Sequence, residues 1–166
     1  MNKSAKTITL LGVCTAAAMV LSYVETLIPV QFAVPGVKLG LANLVAIYLL
    51  MKLDWRYAAP VSLVRVLLTA VLFGSFASLA YSAAGAVLSM LVMTGAKRVK
   101  AFSPVGISIV GGVFHNVGQI LMAILLTGTK QIAFWLPPLI ISGVVTGAAI
   151  GAVGALLIAK IDPKIN

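Results

Sequence analysis

Five polar side chains interrupt the apolar runs of this chain, where hydrocarbon makes them costly. They are Glu25, Arg65, His115, Asn116 and Gln119. A charged side chain at the centre of a membrane helix costs about 2.5–3.5 kcal/mol on insertion scales, so each needs a partner or a wet cavity. Such residues can hold a small molecule through hydrogen bonds and one positive charge. We therefore predict a binding site and assign no catalytic residue.

Arg65 carries the strongest single signal, because a guanidinium stays charged at any accessible pH. It lies near the middle of the third apolar run, and Glu25 lies near the outer end of the first. One interpretation is an Arg65–Glu25 ion pair that links two helices. The other is that Arg65, with Lys38, contacts an anionic or carbonyl-rich ligand. The two arrangements can alternate.

The fifth apolar run contains a polar notch. His115 and Gln119 share one helix face with Asn116 at its edge, and Gly111 and Gly112 leave space one turn earlier. The notch is interpreted as ligand-facing, and the alternative for His115 is a hydrogen bond to another helix. No metal site is predicted, because one histidine without a nearby carboxylate or thiol on its helix is not a ligand set.

A turn before the second apolar run supplies the other candidate contacts. Pro35 and Gly36 cannot continue a helix, and Gly40 permits close packing where the next helix begins. Lys38 and Asn43 lie near the start of that helix. We interpret the turn as a lid over the ligand, and we expect Arg65 to converge with His115, Asn116 and Gln119 beneath it. The alternative is that Lys38 only reaches the lipid headgroups.

Composition excludes a water-soluble globule, in which about a quarter of the residues are charged. Here 61% are hydrophobic and 9% are charged. The net charge of +9 does not indicate a nucleic-acid partner, because the cations lie between apolar runs and report topology. Cys14 is the single cysteine and is predicted to be a buried small residue. The chain is predicted to be a multi-pass membrane protein in contact with lipid.

Hydropathy predicts an all-α bundle of six transmembrane helices in one domain, residues 1–166. The predicted spans are residues 8–28, 40–51, 57–73, 79–96, 104–127 and 134–159. The second is too short to cross a bilayer alone. Nine cations fall in connections on one side and two, Lys38 and Lys130, on the other. This bias predicts that both termini are cytoplasmic.

Small residues recur along several of these spans. Gly143, Gly147, Gly151, Ala155 and Ala159 occupy every fourth position of the last span, and Ser82, Gly85 and Ser89 form a similar stripe on the fourth. Such stripes let helices approach closely and are predicted to be internal packing surfaces. A stripe on the outside of the bundle would instead be a docking face for a partner subunit.

Several motifs resemble a known family. They are Pro35 to Asn43 (PGVKLGLAN), Arg65, Ser82 to Met90 (SAAGAVLSM), His115 to Gln119 (HNVGQ), Leu136-Pro137 and Thr146-Gly147. Together they resemble the small bacterial family called Gx transporters, which is also labelled heptaprenyl diphosphate synthase component I. That family is similar to the substrate-binding S components of energy-coupling factor (ECF) vitamin transporters.

The resemblance implies six helices, cytoplasmic termini in a bacterial cell membrane, and an outward-opening site capped by the loop after the first helix. It also implies a transmembrane coupling subunit and two cytoplasmic ATPases as partners, so that ATP is used by them and no cofactor is held by this chain. S components dock through an alanine-x-x-x-alanine motif on the first helix. Here Gly12 with Ala16, and Cys14 with Ala18, approximate it.

The enzyme label does not agree with the acidic residues. Prenyl diphosphate chemistry needs clustered carboxylates to hold magnesium, whereas Glu25, Asp54 and Asp162 are the only acids and lie far apart in the chain. We therefore expect no enzyme but an S-component-like subunit for uptake of a small vitamin-like or isoprenoid/quinone-related molecule. The alternative is a non-catalytic membrane accessory component of heptaprenyl diphosphate or menaquinone biosynthesis.

Overall fold

The computed structural model describes residues 3–27, 40–73 and 76–161 and is all-helical there, which confirms the predicted fold class. The helices are α1 (Lys3–Leu27), α2 (Asn43–Lys52), α3 (Trp55–Phe73), α4 (Phe76–Val99), α5 (Pro104–Thr127) and α6 (Leu136–Lys160). A 3₁₀ turn, Lys130–Trp135, precedes α6. Each predicted apolar run corresponds to one helix. All but α2 are long and apolar enough to cross a membrane, so the chain is a multi-pass membrane protein.

Local sequence signals define the ends of α5. The Ser103 hydroxyl accepts a hydrogen bond from the backbone N–H of Gly106 at 3.2 Å, and Pro104 occupies the first turn. At the other end Gly128 adopts a left-handed backbone with φ of 67°. These are the preferred residue types for the two ends of a helix. The predicted limits of this span are those observed.

The short helix α2 forms the centre of the bundle. Ile47, Leu49 and Leu50 are at most 1% exposed, and α2 contacts α1, α3, α5 and α6. Its ten residues rise only about 15 Å, half of a bilayer core. Because protein surrounds it, α2 needs neither the length nor the lipid-facing side chains of a full span.

Helix α5 packs closely between α4 and α6 at glycine positions. Gly118 approaches the backbone at Ala84 and Gly85, and Gly112 approaches Gly143. A Cβ atom on Gly112 would lie 2.6 Å from the carbonyl oxygen of Gly143. The small-residue stripe of α4 and the three glycines of the α6 stripe are therefore internal packing surfaces, as predicted, and they align the polar face of α5. Ala159, at the end of the predicted α6 stripe, is exposed and does not belong to this surface.

One end of the bundle collects the cations. The Nζ atom of Lys97, in the last turn of α4, donates to the carbonyl oxygen of Leu50 near the end of α2. This bond places the ends of α2 and α4 side by side. Lysines at helix C-termini commonly satisfy the last carbonyl groups in this way. The predicted cytoplasmic cations of the second and fourth connections thus share one end of the molecule.

Gly147→Ala is expected to lower the stability of the bundle by about 1–3 kcal/mol, the usual cost of overpacking. The added Cβ would lie 2.7 Å from the Cα atom of Ile109 and 2.9 Å from the carbonyl oxygen of Ser108, which are backbone atoms that cannot rotate away. Thermal unfolding in detergent measures the effect. Gly95→Ala is the matched control, since nothing lies within 4 Å of its added Cβ. Equal melting temperatures for the two variants would contradict the packing assignment.

Candidate ligand site

A small polar cavity lies among α2, α4, α5 and α6, with a volume of about 20 Å³. Its polar lining consists of amide, hydroxyl and imidazole groups, contributed by Asn43, Ser89, Ser108, His115, Asn116 and Thr146. Gly40 also reaches it, at the point where the chain returns from α1. The volume is room for a single water molecule. Three predicted site residues, Asn43, His115 and Asn116, are thus brought together.

Asn43 has the side chain most clearly directed at a ligand. It lines the cavity, and its amide makes no hydrogen bond to another residue of the described segments. The adjacent Gly40 has φ of 75°, a conformation that favours glycine, and its carbonyl accepts from the Asn43 backbone N–H at 2.8 Å. The turn therefore fixes Asn43 at the first position of α2. A polar group facing a cavity without an internal partner is available to a bound molecule.

Asn116 has a structural role that the sequence did not indicate. It is 5% exposed, and its Nδ2 donates to the carbonyl oxygen of Leu139 in α6 at 2.7 Å. The hydroxyl of Ser89 similarly donates to the carbonyl oxygen of Gly111 at 2.8 Å. Both bonds link neighbouring helices across the cavity wall. The amide nitrogen of Asn116 is thus used for helix packing.

His115 and Gln119 lie against α4 at Gly85. A Cβ atom on Gly85 would lie 3.0 Å from the His115 Cε1 and 3.0 Å from the Gln119 Cγ, so the missing side chain makes room for both. Their predicted common face is confirmed. The cavity lining includes His115 but not Gln119. Gln119 lies one turn nearer the Gly128 end of α5, between α4 and α5.

Arg65 belongs to a second polar cluster, between α1 and α3. Its Nη1 donates to the hydroxyl of Ser22 at 3.2 Å, and Ser22 is 4% exposed. Glu25 acts electrostatically on Arg65 and accepts a hydrogen bond from the backbone N–H of Gly40. These contacts support the interpretation that Arg65 links helices. Its role toward a ligand stays a prediction.

The cavity and the Arg65 cluster both include a contact with Gly40, but they are separate sites. The backbone N–H of Gly40 donates to Glu25, whereas the residue itself borders the cavity with Asn43. We expected Arg65 to converge with His115 under the turn, but Arg65 does not line the cavity. The reason is the position of α3: none of its described residues lines the cavity, and Arg65 donates to Ser22 of α1 instead. Pro35, Gly36 and Lys38 lie outside the described residues.

The predicted docking residues of α1 separate onto two faces. Cys14 and Ala18 are 8% and 1% exposed and pack inside the bundle, as was predicted for Cys14 as a small residue. Gly12 and Ala16 are exposed, and nothing lies within 4 Å of a Cβ placed on Gly12. A four-residue spacing keeps each pair on one face, but the two pairs differ by two residues, or about 200°. The docking prediction is therefore corrected for Cys14 and Ala18, which are covered by this chain.

Sequence reasoning missed three of the polar cavity residues, Ser89, Ser108 and Thr146. Ser108 is 6% exposed and makes no hydrogen bond to another described residue, and Thr146 donates to the carbonyl oxygen of Ser142 at 2.9 Å. Ser108 lies seven residues before His115, two helical turns along the same face, which is the signal that could have found it. Within the described segments no three His, Cys, Asp or Glu residues group as a metal site.

Fold and cavity together define a polytopic helical membrane protein with a small cavity lined by amide, hydroxyl and imidazole groups. Residues 14–157 match the family of heptaprenyl diphosphate synthase component I, and the chain belongs to this family. The family name describes one component of a synthase and so implies further subunits. No curated protein and no solved structure matches the chain.

Arg65→Ala is expected to lower the unfolding free energy by about 1–3 kcal/mol, because it removes a charged hydrogen-bond donor and leaves Glu25 without that cation. Thermal unfolding in detergent checks this. Adding Glu25→Gln should recover part of the loss, since the neutral amide no longer needs a counter-charge. An Arg65→Ala variant as stable as the wild type would show that Arg65 does not link α1 and α3.

Proposed function

We propose that the chain is the substrate-binding membrane subunit of an ECF-type uptake transporter for a small vitamin-like or isoprenoid/quinone-related molecule. The observation that carries the proposal is the Asn43 amide, which faces an internal cavity without a hydrogen bond to another described residue. Ser108 faces the same cavity, and it too makes no hydrogen bond to another described residue. Pockets of this kind orient a ligand through a few placed polar groups.

The lining narrows the chemistry of the ligand. Among the residues that the structure describes, no Lys, Arg, Asp or Glu lines the cavity, so these residues offer no counter-charge to an ionised group placed there, and its desolvation would be costly. Amides and hydroxyls instead complement carbonyl oxygens, ring nitrogens and N–H groups. The part of the ligand that contacts Asn43 is therefore neutral and rich in carbonyl or heteroaromatic groups, and an anionic group would have to lie outside the cavity, on the Arg65 side of Gly40.

Binding requires the cavity to open, because 20 Å³ holds one water molecule and no vitamin. The Gly40 turn is the element that can admit a ligand. It contributes backbone to the cavity wall and is held to α1 by the hydrogen bond to Glu25. Release of that bond would free the turn to move away from Asn43. Ligand binding and the α1–α3 polar cluster are coupled in this scheme through one backbone N–H group.

Uptake against a gradient needs partners, since the chain has no glycine-rich phosphate loop. The exposed face of α1 at Gly12 and Ala16 suits close approach of a helix from a coupling subunit, because both side chains are small and the space beside Gly12 is open. Cytoplasmic ATPases would act through that subunit.

The family match favours a second candidate function, a non-catalytic membrane accessory component of heptaprenyl diphosphate synthesis. Catalysis by this chain alone is not proposed, because Glu25 lies in α1, Asp54 lies in the connection between α2 and α3, and Asp162 is remote in sequence. A diphosphate with its magnesium needs several carboxylates at one place. In this candidate the cavity is a structural feature and a catalytic partner performs the chemistry.

Mass spectrometry of small molecules extracted from the purified full-length protein tests the ligand. The expected result is one compound near stoichiometric amount in the wild type and about tenfold less in Asn43→Ala, since one lost hydrogen bond in a desolvated site is worth about 1.4 kcal/mol. Gln131→Ala, which removes an exposed amide from the 3₁₀ turn, should leave the amount unchanged. Equal retention by Asn43→Ala and the wild type would reject the cavity as the site.

Isolation of native complexes from membranes separates the two candidate functions. Wild-type protein is expected to retain a membrane coupling subunit and ATPases, and Gly12→Leu to lose them because the leucine blocks helix approach. Val13→Leu is the matched control, since Val13 is 62% exposed and already bulky. Recovery of a soluble prenyl diphosphate synthase subunit, without ATPases, would replace the transporter proposal with the accessory one.

A further inference from the structure

A groove separate from the polar cavity runs between α3 and α4. Its volume is about 410 Å³ and most of its lining is apolar. Leu63, Val87 and Leu91 form its outer edges and are 44%, 46% and 65% exposed. The groove therefore opens toward the membrane and not toward the interior of the bundle. Gly95 adds width, because nothing lies within 4 Å of the position of a Cβ there.

One end of the groove is cationic and aromatic. Arg98, in the last turn of α4, and Trp55, in the first turn of α3, both line it. The guanidinium of Arg56 lies over the indole ring of Trp55, 6.0 Å from the ring centroid. This is the end of the bundle where Lys97 meets the last turn of α2. Tryptophan and arginine at such a position mark the depth of the lipid headgroups.

The charge at this end is not balanced within the described part of the protein. Arg98 makes no hydrogen bond or ion pair with another described residue. Of the two described carboxylates only Asp54 is at this end, and its Oδ1 accepts from the backbone N–H of Trp55 at 2.8 Å. A guanidinium offers a planar fork that matches two oxygens of a phosphate. The rim thus complements an anion of that shape.

Two hydroxyl groups lie inside the groove. Ser62, which is 7% exposed, and Thr94 both line it, and neither bonds to another described residue. Thr94 lies four residues before Arg98, one turn further into the membrane on the same face of α4. If the anionic group of a ligand lies at Arg98, the group that follows it in the ligand lies beside Thr94. In a glycerophospholipid that group is an ester carbonyl.

We infer that the α3–α4 groove is a binding site for an anionic glycerophospholipid of the cytoplasmic leaflet. One acyl chain lies in the apolar groove beside Gly95, an ester carbonyl accepts a hydrogen bond from Thr94, and the phosphate lies at Arg98 next to Trp55. The site is independent of the polar cavity and of the proposed transport function. It requires only that the cationic end of the bundle face the cytoplasm, as the distribution of cations predicts.

Fluorescence quenching by brominated lipids tests this site directly. The chain has two tryptophans, so a Trp135→Phe variant leaves Trp55 as the sole reporter, at the rim of the groove. The protein is reconstituted in bilayers that contain brominated phosphatidylglycerol or brominated phosphatidylcholine in an unlabelled background. We expect phosphatidylglycerol to bind near Trp55 about fivefold more strongly, the preference that one cation gives an anionic lipid.

Two variants distinguish the contribution of the lipid headgroup from that of the acyl chain. Arg98→Gln should reduce the fivefold preference to about one, because it removes the phosphate contact while the groove stays open. Gly95→Leu should lower quenching by both lipids, because the leucine occupies the groove without a clash. Lys130→Gln at the opposite end and Ala152→Leu on the exposed face of α6 are the matched controls and should behave as the Trp135→Phe parent.

Three results would overturn the inference. The first is equal binding of the two lipids to the parent, and the second is an unchanged preference in Arg98→Gln. The third is displacement of brominated phosphatidylglycerol by farnesyl diphosphate at a small molar fraction of the lipid, which would assign the groove to a single-chain diphosphate. Melting temperatures within a few degrees of the parent show that each variant is folded.

Discussion

The close approach of α5 to the backbones of α4 and α6 is the constraint on which the rest of this structure depends. Within a membrane no hydrophobic effect drives helices together, so packing and interhelical hydrogen bonds must do so. Gly112 and Gly143 meet backbone to backbone, as Gly118 meets the chain at Gly85. With these contacts in place, the polar face of α5 can point only toward the centre of the bundle. The cavity follows from that orientation.

Some polar groups in this bundle form hydrogen bonds between helices, and others face the cavity. Asn116 is bonded to Leu139 in α6, whereas Asn43 has no such bond within the described segments. The two residues have the same chemistry, and only the position of a neighbouring carbonyl distinguishes them. Arg65 belongs with the first class through its bond to Ser22. For a variant of either asparagine, ligand retention must therefore be compared with the melting temperature of the same variant.

The family description and the residues of this chain indicate different functions. A synthase component is one member of an assembly, and the acidic residues here are too few and too scattered to hold magnesium and a diphosphate. What the bundle does provide is a neutral polar cavity, an exposed small-residue face on α1, and a lipid-facing groove with an arginine at its rim. These three features lie in different parts of one small bundle.

The sequence by itself determined the membrane class, the six helical segments and the small-residue packing surfaces of α4 and α6, because these depend on composition and on the 3.6-residue period alone. It also placed His115 and Gln119 on one face. It did not determine that Gly112 of α5 packs on Gly143, where only open space beside the polar residues was predicted. It did not determine the rotation of each helix about its axis. That rotation buries Cys14 and Ala18 while leaving Gly12 and Ala16 exposed. The sequence also did not determine that α3 lies beside α1, where Arg65 bonds to Ser22 and not near His115. Only contacts between helices distant in sequence select the rotation, since every rotation satisfies the local pattern of an apolar helix equally well.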